Sequence, residues 1–436
     1  MERLNGFSGL DASVIPQIRE EFGTPAYLYD ERLIIERCRD CLAMPNAFGI
    51  TVRFAMKANS NRTILKLITD QGLHIDASSL NEARRANMAG VPAGSIVLTT
   101  QEVPQGDDRR ELERLLLEGM LYNVCSLHQL RQIRDFAGGH KLSLSIRVHP
   151  GVGSGESATR NTGDKYSCFG VHLSDIGQAV ALAAERGLVF RHVHVHIGSG
   201  ADPEMWRQNI DRELGIIKKH FADAESVCFG GGLREARMPD ETAADIIALG
   251  DYAKRQIEAF YARTGRKLHM EIEPGTYIVA NSGYVVTQVL DMKNTGDGGF
   301  DFIIADGGME VNARPLLYGS RHPFYVISAG GKLLSSEFTG ATPGVPAQDT
   351  IVAGKCCESG DCQTLDDSGH VITRGMAKPE IGDLLVVGGA GAYVSTMTPF
   401  NYNSHTQIPE VLYTQDGGLR LIRRRQTLEQ IVENEI

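Results

Sequence analysis

The stretch FAMKAN, residues 54–59, places Lys57 at the end of a short apolar run that begins at Val52. β-Branched and aromatic residues in so short a run are typical of a strand. A buried ammonium is unfavourable unless it is paired or neutralised, and desolvation favours the neutral amine that a Schiff base requires. The alternative is a strand-end lysine that extends to water. The hexapeptide alone does not decide between the two.

Strand-like runs that end in polar or glycine residues recur as far as Gly275, and amphipathic segments such as 108–118 and 202–220 separate them. Strands that alternate with helices in this way predict a (β/α)8 barrel of the TIM type, an α/β fold, rather than an open doubly wound sheet. The predicted strands are Val52–Lys57, Leu73–Ser79, Ser95–Thr100, Leu121–Leu127, Leu142–Pro150, His192–Ser199, Ser226–Leu233 and His269–Gly275.

Barrels of this kind carry their chemistry at the C-terminal ends of the strands. Polar and glycine residues at these ends are therefore the candidate site residues. They are Lys57, Asp76, Arg147, His196 with Ser199, Gly230, Gly231 and Gly232, and Glu273.

The helix–strand alternation stops after about Ala280, and short strands with many glycines and turn residues follow. This pattern predicts an all-β domain. We expect a barrel over residues 36–280 and a β domain over residues 281–436, with the strand Ala26–Asp30 of residues 1–35 added to the β domain.

The composition is that of a globular protein, with 42% apolar and 22% charged residues among 436. A net charge of −10 argues against a nucleic-acid partner, which needs a basic face. No window approaches the roughly 18 uninterrupted apolar residues of a membrane helix. The N-terminus carries acidic residues early and lacks the apolar segment of a signal peptide, so we expect a cytoplasmic protein without a membrane partner.

The eight cysteines are scattered, and a reducing compartment would keep them as free thiols. Cys38 and Cys41 have zinc-like spacing, but they lie in a predicted helix without a second ligand pair. His194 and His196 alternate along the sixth strand, and we find no third ligand at a suitable spacing. The sequence therefore predicts no metal site.

Two strand ends suggest a phosphorylated cofactor with a ring nitrogen. Gly230–Gly232 could bring backbone N–H groups against a phosphate, and Ser199 could add a hydroxyl. Glu271 and Glu273 point to the same side of the eighth strand and differ only in depth. A carboxylate against a pyridine nitrogen would keep that nitrogen protonated, although a surface glutamate and a plain turn remain possible for these motifs.

Three loops of the β region carry reactive groups. Cys356-Cys357-Glu358 presents a thiol beside acids, which suits a proton donor or a simple turn. The small-residue loop GAGAY, residues 389–393, presents Tyr393. Arg314 offers a guanidinium suited to a carboxylate, and Tyr318 lies four residues further on.

Taken together, these pieces resemble the diaminopimelate decarboxylases, which are pyridoxal-phosphate enzymes with an alanine-racemase-like barrel. The matching motifs are FAMKAN, HVHIGSG, GGGL, EIEPG, RPLLYG, CESGD, GAGAY and NYNS, in the order that the family has them. The resemblance covers the chain from about Pro25 to the C-terminus.

The resemblance implies roles for these residues. Lys57 would hold pyridoxal 5'-phosphate, with His196 on the cofactor ring and Cys357 as the proton donor. The resemblance also implies a homodimer in which the CESGD and GAGAY loops lie near the lysine of the other subunit. The remaining cofactor residues would be Asp76, Ser199, Gly230, Gly231, Gly232, Glu273, Pro274, Gly275, Thr276 and Tyr393. The substrate residues would be Arg314, Tyr318, Glu358 and Tyr393.

Thr276 departs from the family, which has arginine after EPG to hold the distal carboxylate of the substrate. A lost charge-assisted contact costs about 1.5–3 kcal/mol. His405 also stands where arginine is common, and Arg321 is one candidate to compensate.

We therefore expect a carboxy-lyase of lysine biosynthesis that converts meso-2,6-diaminopimelate to L-lysine and carbon dioxide. Decarboxylation of lysine, ornithine or a specialised-metabolism substrate is the alternative, because such substrates can lack the distal carboxylate. A non-catalytic pyridoxal-phosphate-binding protein is a third possibility, but it would not need Cys357, Arg314 and Tyr318 together.

Overall fold

The computed structural model describes residues 10–151, 163, 165–198, 202–366 and 368–436. The chain forms two compact units. The first contains the described residues up to Glu36, the segment Ala236–Thr242 and Ile278–Ile436. The second contains Arg37–Glu235 and Ala243–Tyr277. The segment Ala236–Thr242 thus belongs to the first unit, although it lies inside the range predicted for the barrel.

The strands are β1 (Ala26–Asp30), β2 (Ile50–Ala55), β3 (His74–Ala77), β4 (Ile96–Leu98), β5 (Leu121–Val124), β6 (Leu144–His149), β7 (Val171–His172), β8 (Phe190–His194), β9 (Ser226–Cys228), β10 (His269–Ile272), β11 (Gly283–Asn294), β12 (Asp301–Ala305), β13 (Phe324–Ile327), β14 (Leu333–Ser336), β15 (Gly340–Ala341), β16 (Ala347–Ala353), β17 (Arg374–Ala377), β18 (Leu384–Val387), β19 (Glu410–Tyr413) and β20 (Leu419–Arg423).

The α-helices are α1 (Ile15–Phe22), α2 (Glu31–Leu42), α3 (Arg62–Asp70), α4 (Leu80–Met88), α5 (Gly106–Leu117), α6 (Leu127–Gly139), α7 (Ile176–Ala184), α8 (Pro203–His220), α9 (Ile246–Thr264), α10 (Thr276–Val279), α11 (Arg314–Tyr318) and α12 (Leu428–Val432). Among the described residues, none of these helices combines the length and the apolar content needed to cross a membrane.

The second unit is a closed barrel of parallel strands. Its hydrogen-bonded order is β2-β3-β4-β5-β6-β8-β9-β10, and β10 pairs with β2 to close the ring. The predicted (β/α)8 fold and its eight strands are therefore confirmed. The strand prediction was too long at β8, which ends at His194 rather than Ser199.

Polar caps begin the helices that follow the barrel strands. The capping side chains accept a hydrogen bond from a backbone N–H in the first turn of their helix, which satisfies a donor that has no partner within the helix. The capping residues are Asn61 of α3, Ser79 of α4, Ser126 of α6, Asp202 of α8 and Asp245 of α9. The connections after β3, β5 and β10 are only a few residues long, whereas those after β6, β8 and β9 are longer and carry several of the candidate site residues.

The first unit is mostly β-sheet, as predicted. Its main path runs β15-β14-β13-β18-β11-β1-β19-β20, and β12, β16 and β17 extend from β11. Strand β1 pairs antiparallel with β11 and parallel with β19, so the N-terminal strand lies inside this sheet. Apolar residues of β1, β11, β13, β18 and β19 form its core together with α1.

Candidate active site

Lys57 follows β2 on a single 3-10 turn, Met56–Ala58, rather than on the strand itself. Its neighbours Met56 and Ala58 are buried, whereas Lys57 is exposed in the described chain. Of the two alternatives that the hexapeptide leaves open, the side chain that extends to water is the one found, so desolvation by burial does not distinguish this lysine. The ammonium instead affects acidic groups around it, because its charge helps to lower the pKa of Glu273 and offsets part of the rise that burial causes in the pKa of Asp76 and Glu82.

Glu273 follows β10 and is buried. Its Oε2 accepts a hydrogen bond from His194 Nε2 at 2.8 Å. Burial by itself would raise the pKa of Glu273, but His194, His196 and Lys57 outweigh that effect and lower it. Glu273 is therefore an ionised carboxylate at the C-terminal end of a barrel strand, and His194 is the partner that the sequence reasoning missed.

Glu271, two residues earlier, has a different set of partners. Its Oε2 pairs with Arg53 Nε of β2 at 2.8 Å, and its Oε1 lies 3.5 Å from His192 Nδ1. Burial would raise the pKa of Glu271, whereas Arg53 and His192 lower it. Depth alone thus does not separate the two glutamates, because Glu271 already has a buried arginine for its charge.

Asp76 lies in β3 and is 3% exposed. Among the described residues its Oδ1 has no hydrogen-bond partner. Burial and the nearby Glu273 raise the pKa of Asp76, and Lys57 offsets part of that rise. Asp76 and Glu273 therefore both interact with the charge of Lys57, but their pKa values shift in opposite directions. Glu273 is ionised, whereas Asp76 holds a proton more tightly.

His196 lies just beyond β8, and its Nδ1 accepts the backbone N–H of Gly231 at 3.0 Å. Desolvation and the charges of Lys57 and Arg147 hold the pKa of His196 well below its ordinary value. An acceptor nitrogen and a lowered pKa both indicate a neutral imidazole whose remaining proton is on Nε2.

The glycine triplet follows β9 in a conformation that a side chain would disrupt. Gly230 and Gly232 have φ values of 70° and 86°. A Cβ at Gly230 would collide with the backbone oxygen of Val195, and one at Gly231 would collide with the backbone oxygen of Glu273. The turn thus packs directly against the ends of β8 and β10, which favours a backbone cradle over an ordinary surface turn.

The EPG turn continues from β10 into α10. The backbone oxygen of Pro274 accepts the N–H of Ala55, which ties this turn to the end of β2. Gly275 is buried, and Thr276 begins α10. Ser199, which was predicted to contribute to a phosphate site, lies outside the described residues.

Cys356 and Cys357 point to opposite sides of their turn in the first unit. Cys357 is exposed, whereas Cys356 is buried and donates its thiol hydrogen to Glu310 Oε2 at 3.4 Å. Burial, Glu310 and Asp361 all raise the pKa of Cys356. The accessible thiol of the pair is therefore Cys357.

Asp361 holds this turn from the inside. Its Oδ1 accepts the N–H of Met309 at 2.6 Å, and its Oδ2 accepts the N–H of Cys356 at 2.7 Å. A Cβ at Gly308 or Gly354 would collide with the Asp361 carboxylate. The two glycines are thus what allows the carboxylate to reach both N–H groups.

Two groups of side chains bring potential metal ligands within 4.8 Å of one another, namely His194, Cys228 and Glu273, and Glu310, Cys356 and Asp361. In the first group the imidazole already donates to the carboxylate. In the second group the carboxylates accept backbone N–H and thiol hydrogens. These hydrogen bonds account for the second group and, in the first, for the contact between His194 and Glu273.

Glu358 and the backbone of Cys357 are held by the segment that contains NYNS. Tyr402 Oη donates to Glu358 Oε2 at 3.2 Å, and Asn403 Oδ1 accepts the N–H of Cys357 at 2.9 Å. Glu358 also accepts the N–H of Gly360, which together with the other donors lowers its pKa. Glu358 is therefore an ionised, exposed carboxylate beside the exposed thiol.

Arg314 is the first residue of α11 and is 5% exposed. Its guanidinium lies 6.0 Å from the ring centroid of Tyr318 and 5.9 Å from that of Tyr393, and its Nη2 donates to Ser320 Oγ at 3.2 Å. The structure thus brings together the arginine and both tyrosines that the sequence singled out. Arg321, the candidate replacement cation, pairs with Asp240 at 2.8 Å and already has a carboxylate partner.

The strand ends of the barrel fit a phosphorylated aldehyde with a pyridine ring. Lys57 supplies a primary amine, Glu273 an ionised carboxylate for a ring nitrogen, and His196 a neutral flat ring. The glycine turn is too tight for side chains and can present backbone N–H groups to a phosphate. Fold and site together define a pyridoxal-phosphate enzyme with a barrel and a β domain.

Comparison with known proteins identifies the family. The model of the "Pyridoxal-dependent decarboxylase, pyridoxal binding domain" matches residues 32–280, and the chain belongs to this family of decarboxylases. The diaminopimelate decarboxylase of Escherichia coli strain K12 is 35% identical over 434 residues, which cover 98% of this chain and 97% of the relative.

Solved structures agree with this assignment. A crystal structure of a diaminopimelate decarboxylase superposes with a TM-score of 0.87 at 33% identity, and covers 97% of this chain and 96% of the other. The enzyme from Helicobacter pylori, solved in complex with L-lysine, gives a TM-score of 0.81 at 28% identity, with 96% and 98% covered. The chain is therefore a pyridoxal-phosphate-dependent carboxy-lyase, and the fold and cofactor expected from sequence are confirmed.

Proposed function

We propose that this decarboxylase acts on meso-2,6-diaminopimelate and releases L-lysine and carbon dioxide in lysine biosynthesis. The name of the Escherichia coli relative and the lysine bound to the Helicobacter pylori enzyme support this substrate and product. Within the chain, the proposal depends most on the 2.8 Å hydrogen bond between His194 and Glu273. An ionised carboxylate at this strand end is what a protonated pyridine nitrogen requires.

Pyridoxal phosphate, when bound, supplies an electron-accepting ring for the electron pair that a departing carboxylate leaves at the α-carbon. Lys57 would attach the cofactor covalently and Glu273 would keep the ring nitrogen protonated. His196, neutral because it accepts from Gly231, would pack its flat ring on the pyridine. The remaining cofactor contacts that we propose come from Asp76, Ser199, Gly230, Gly231, Gly232, Pro274, Gly275, Thr276 and Tyr393.

Protonation of the product would fall to Cys357. The bond between the α-carbon and the carboxylate breaks, carbon dioxide leaves, and the Cys357 Sγ–H donates its proton to that carbon. Solvent then returns a proton to the thiolate. The burial of Cys356 and the exposure of Cys357 support this choice between the two cysteines.

Recognition of the distal end of the substrate would rest on Arg314, Tyr318, Tyr393 and Glu358. Arg314 is the cation, because Thr276 cannot supply one and Arg321 is paired with Asp240. The distal carboxylate would take the guanidinium, and Glu358 would take an amino group.

A carbon-dioxide release assay across diaminopimelate, lysine, ornithine and arginine tests the substrate. We expect release from diaminopimelate with formation of an equal amount of lysine. Release from lysine or ornithine alone would contradict the proposal and favour a substrate without a distal carboxylate. A protein that binds the cofactor but releases carbon dioxide from none of the four would instead support a non-catalytic role.

Thr276→Arg sharpens the same question. If diaminopimelate is the substrate, the added guanidinium should lower KM for it by about tenfold or more, because a charge-assisted contact is gained. A lower KM for lysine without a gain on diaminopimelate would remove Thr276 from the substrate site.

Arg314→Ala in the parent should leave little activity, since Arg314 is the main cation for the distal carboxylate when residue 276 is threonine.

We also propose a homodimer with active sites shared between subunits, as the family resemblance implies. Lys57→Ala and Cys357→Ala proteins should each keep about 1% of the parent activity or less, but an equimolar mixture unfolded and refolded together should recover about a quarter of it, since half the dimers would carry one intact site. If the mixed protein is a dimer in solution but recovers no activity, Lys57 and Cys357 of one subunit act in the same site.

Localisation in the cytoplasm completes the proposal. All eight cysteines are free thiols in the structure, which suits a reducing compartment. Fractionation of the source cells should recover the activity with cytoplasmic marker enzymes.

A further inference from the structure

The segment Asn401–Ser404 has an unusual backbone for residues with side chains. Asn401, Asn403 and Ser404 have φ values of 64°, 50° and 58°, all in the left-handed region. Asparagine tolerates this region better than most residues and serine does so less readily. Such a conformation persists only where surrounding contacts hold it, and it is often found beside functional groups.

One end of this segment is anchored away from the cysteine turn. The Asn401 side-chain nitrogen donates to Gln426 Oε1 at 2.6 Å and to the backbone oxygen of His405 at 3.1 Å. Gln426 Oε1 also accepts the N–H of Gln407 at 3.0 Å, which links the residues just before β19 to those just after β20. The anchor leaves the side chains of Tyr402 and Asn403 to face the cysteine turn.

The two side chains contact adjacent residues of that turn at different atoms. Asn403 Oδ1 accepts the backbone N–H of Cys357 at 2.9 Å, whereas Tyr402 Oη donates to the carboxylate of Glu358 at 3.2 Å. Cys357 and Glu358 are both exposed in the described chain, so packing does little to fix them. Hydrogen bonds from this segment therefore add to those within the turn, where Glu358 also accepts from Gly360 and Ser359, and they are the contacts that reach the Cys357 N–H and Glu358 Oε2.

We propose that Asn403 and Tyr402 are positioning residues with separate duties. Asn403 sets the backbone that carries the Cys357 thiol, and Tyr402 sets the direction of the Glu358 carboxylate. The inference rests on the proposed function, in which Cys357 delivers a proton and Glu358 contacts the substrate. It adds to that function that the contact of Asn403 serves the chemical step, whereas the contact of Tyr402 serves substrate binding.

Asn403→Gly tests the first duty, because glycine keeps the left-handed backbone at no steric cost while the carboxamide that carries the acceptor oxygen is removed. We expect kcat on diaminopimelate to fall by about tenfold or more with KM within twofold, since displacement of a reacting group by about 1 Å can cost up to 10²-fold. With the reaction run in deuterium oxide, the deuterium at the decarboxylated carbon should also lose stereochemical purity.

Tyr402→Phe tests the second duty, because it removes one hydroxyl and keeps the ring. We expect KM to rise by about tenfold with kcat within twofold, and the stereochemical purity of the deuterium should stay unchanged. Ser404→Gly is the matched control. It sits in the same left-handed turn and forms no hydrogen bond with Cys357 or Glu358 among the described residues, so both constants should stay within twofold.

Parallel changes of kcat and KM in both variants, or an equal loss in Ser404→Gly, would overturn the inference and indicate a general loosening of the segment. Unchanged kinetics in Asn403→Gly and Tyr402→Phe would also overturn it, while an active parent would leave the proposed function standing. A parent without activity on diaminopimelate would overturn both. Thermal unfolding of each variant, with cofactor bound, shows whether the folded state is retained.

Discussion

The strand ends of the barrel and the cysteine turn of the β unit hold their reactive groups by different means. Glu273 and His196 are fixed by neighbouring strands, by buried partners and by a glycine turn that leaves no room for side chains. Cys357 and Glu358 stand exposed on a turn that Asp361 holds from the inside and that Asn403 and Tyr402 hold from another segment. The barrel groups are therefore held by their buried neighbours. The thiol and carboxylate of the turn depend strongly on side chains that are not proposed to contact the substrate.

The largest expected effect comes from removing the amine of the barrel site. Lys57→Ala should reduce decarboxylation by more than about 10⁴-fold, as loss of a covalent catalytic group does elsewhere. Borohydride should fix the cofactor to the peptide that contains Lys57 in the parent. Label on a different lysine would show that the amine was assigned wrongly.

Cys357→Ala addresses the turn and should slow turnover by about 10²- to 10⁴-fold, the usual contribution of a positioned acid, with cofactor absorbance intact. Cys356→Ala is the matched control. Because Cys356 is buried and donates to Glu310, its loss should cost about 1 kcal/mol of stability and little activity. The reverse result, with Cys356→Ala the inactive protein, would mean that the register of the turn is wrong.

Glu273→Gln and Glu271→Gln separate chemistry from stability at the end of a single strand, β10. Glu273→Gln should lower kcat by about 10²- to 10³-fold, since a preorganised charge is lost. Glu271→Gln should instead cost about 3–5 kcal/mol of unfolding free energy, because Arg53 is left as a buried charge without its partner. Kinetics and denaturant unfolding on both proteins measure the contrast, and equal effects in both assays would remove it.

The smallest effect on activity concerns Glu213 of α8, a fully buried carboxyl with no hydrogen-bond partner among the described residues. Burial, and to a lesser degree Glu273, raise its pKa well above the ordinary value. The folded state therefore binds the proton more tightly, so stability is full below the unfolded pKa of about 4.3 and falls as pH rises toward the folded pKa.

Glu213→Gln should remove this dependence, which can reach about 1.4 kcal/mol per pH unit. Unfolding free energies of parent and variant between pH 5 and 8 provide the check. An identical slope in the two proteins would show that Glu213 titrates in the same way in both the folded and the unfolded state.

Periodicity in the sequence predicted the barrel, its eight strands and the all-β region, because short apolar runs bounded by glycine and polar residues specify strands directly. Motif positions also placed Lys57, Glu273 and Gly230 at strand ends, where the structure has them. Local pattern thus carried the fold and the sequence position of most candidate residues.

The surroundings of those residues were out of reach. The sequence could not show that Glu271 meets Arg53 and that Glu273 meets His194, because both pairs form between strands far apart in the chain. It could not decide whether Lys57 is buried or exposed, since burial depends on packing of the whole chain, and the structure has Lys57 exposed. Left-handed backbone at Asn403 has no sequence signal beyond the tolerance of asparagine for it.

Asp361 fits between Gly308 and Gly354 so closely that the three positions cannot change independently. An alanine at either glycine would push the carboxylate away from Met309 and Cys356. With a shorter residue at position 361 that carboxylate is gone, and the two glycines are no longer needed to make room for it. In directed evolution of this enzyme, substitutions at these positions should therefore appear together or not at all. A library that varies only one of them would explore almost no functional variants.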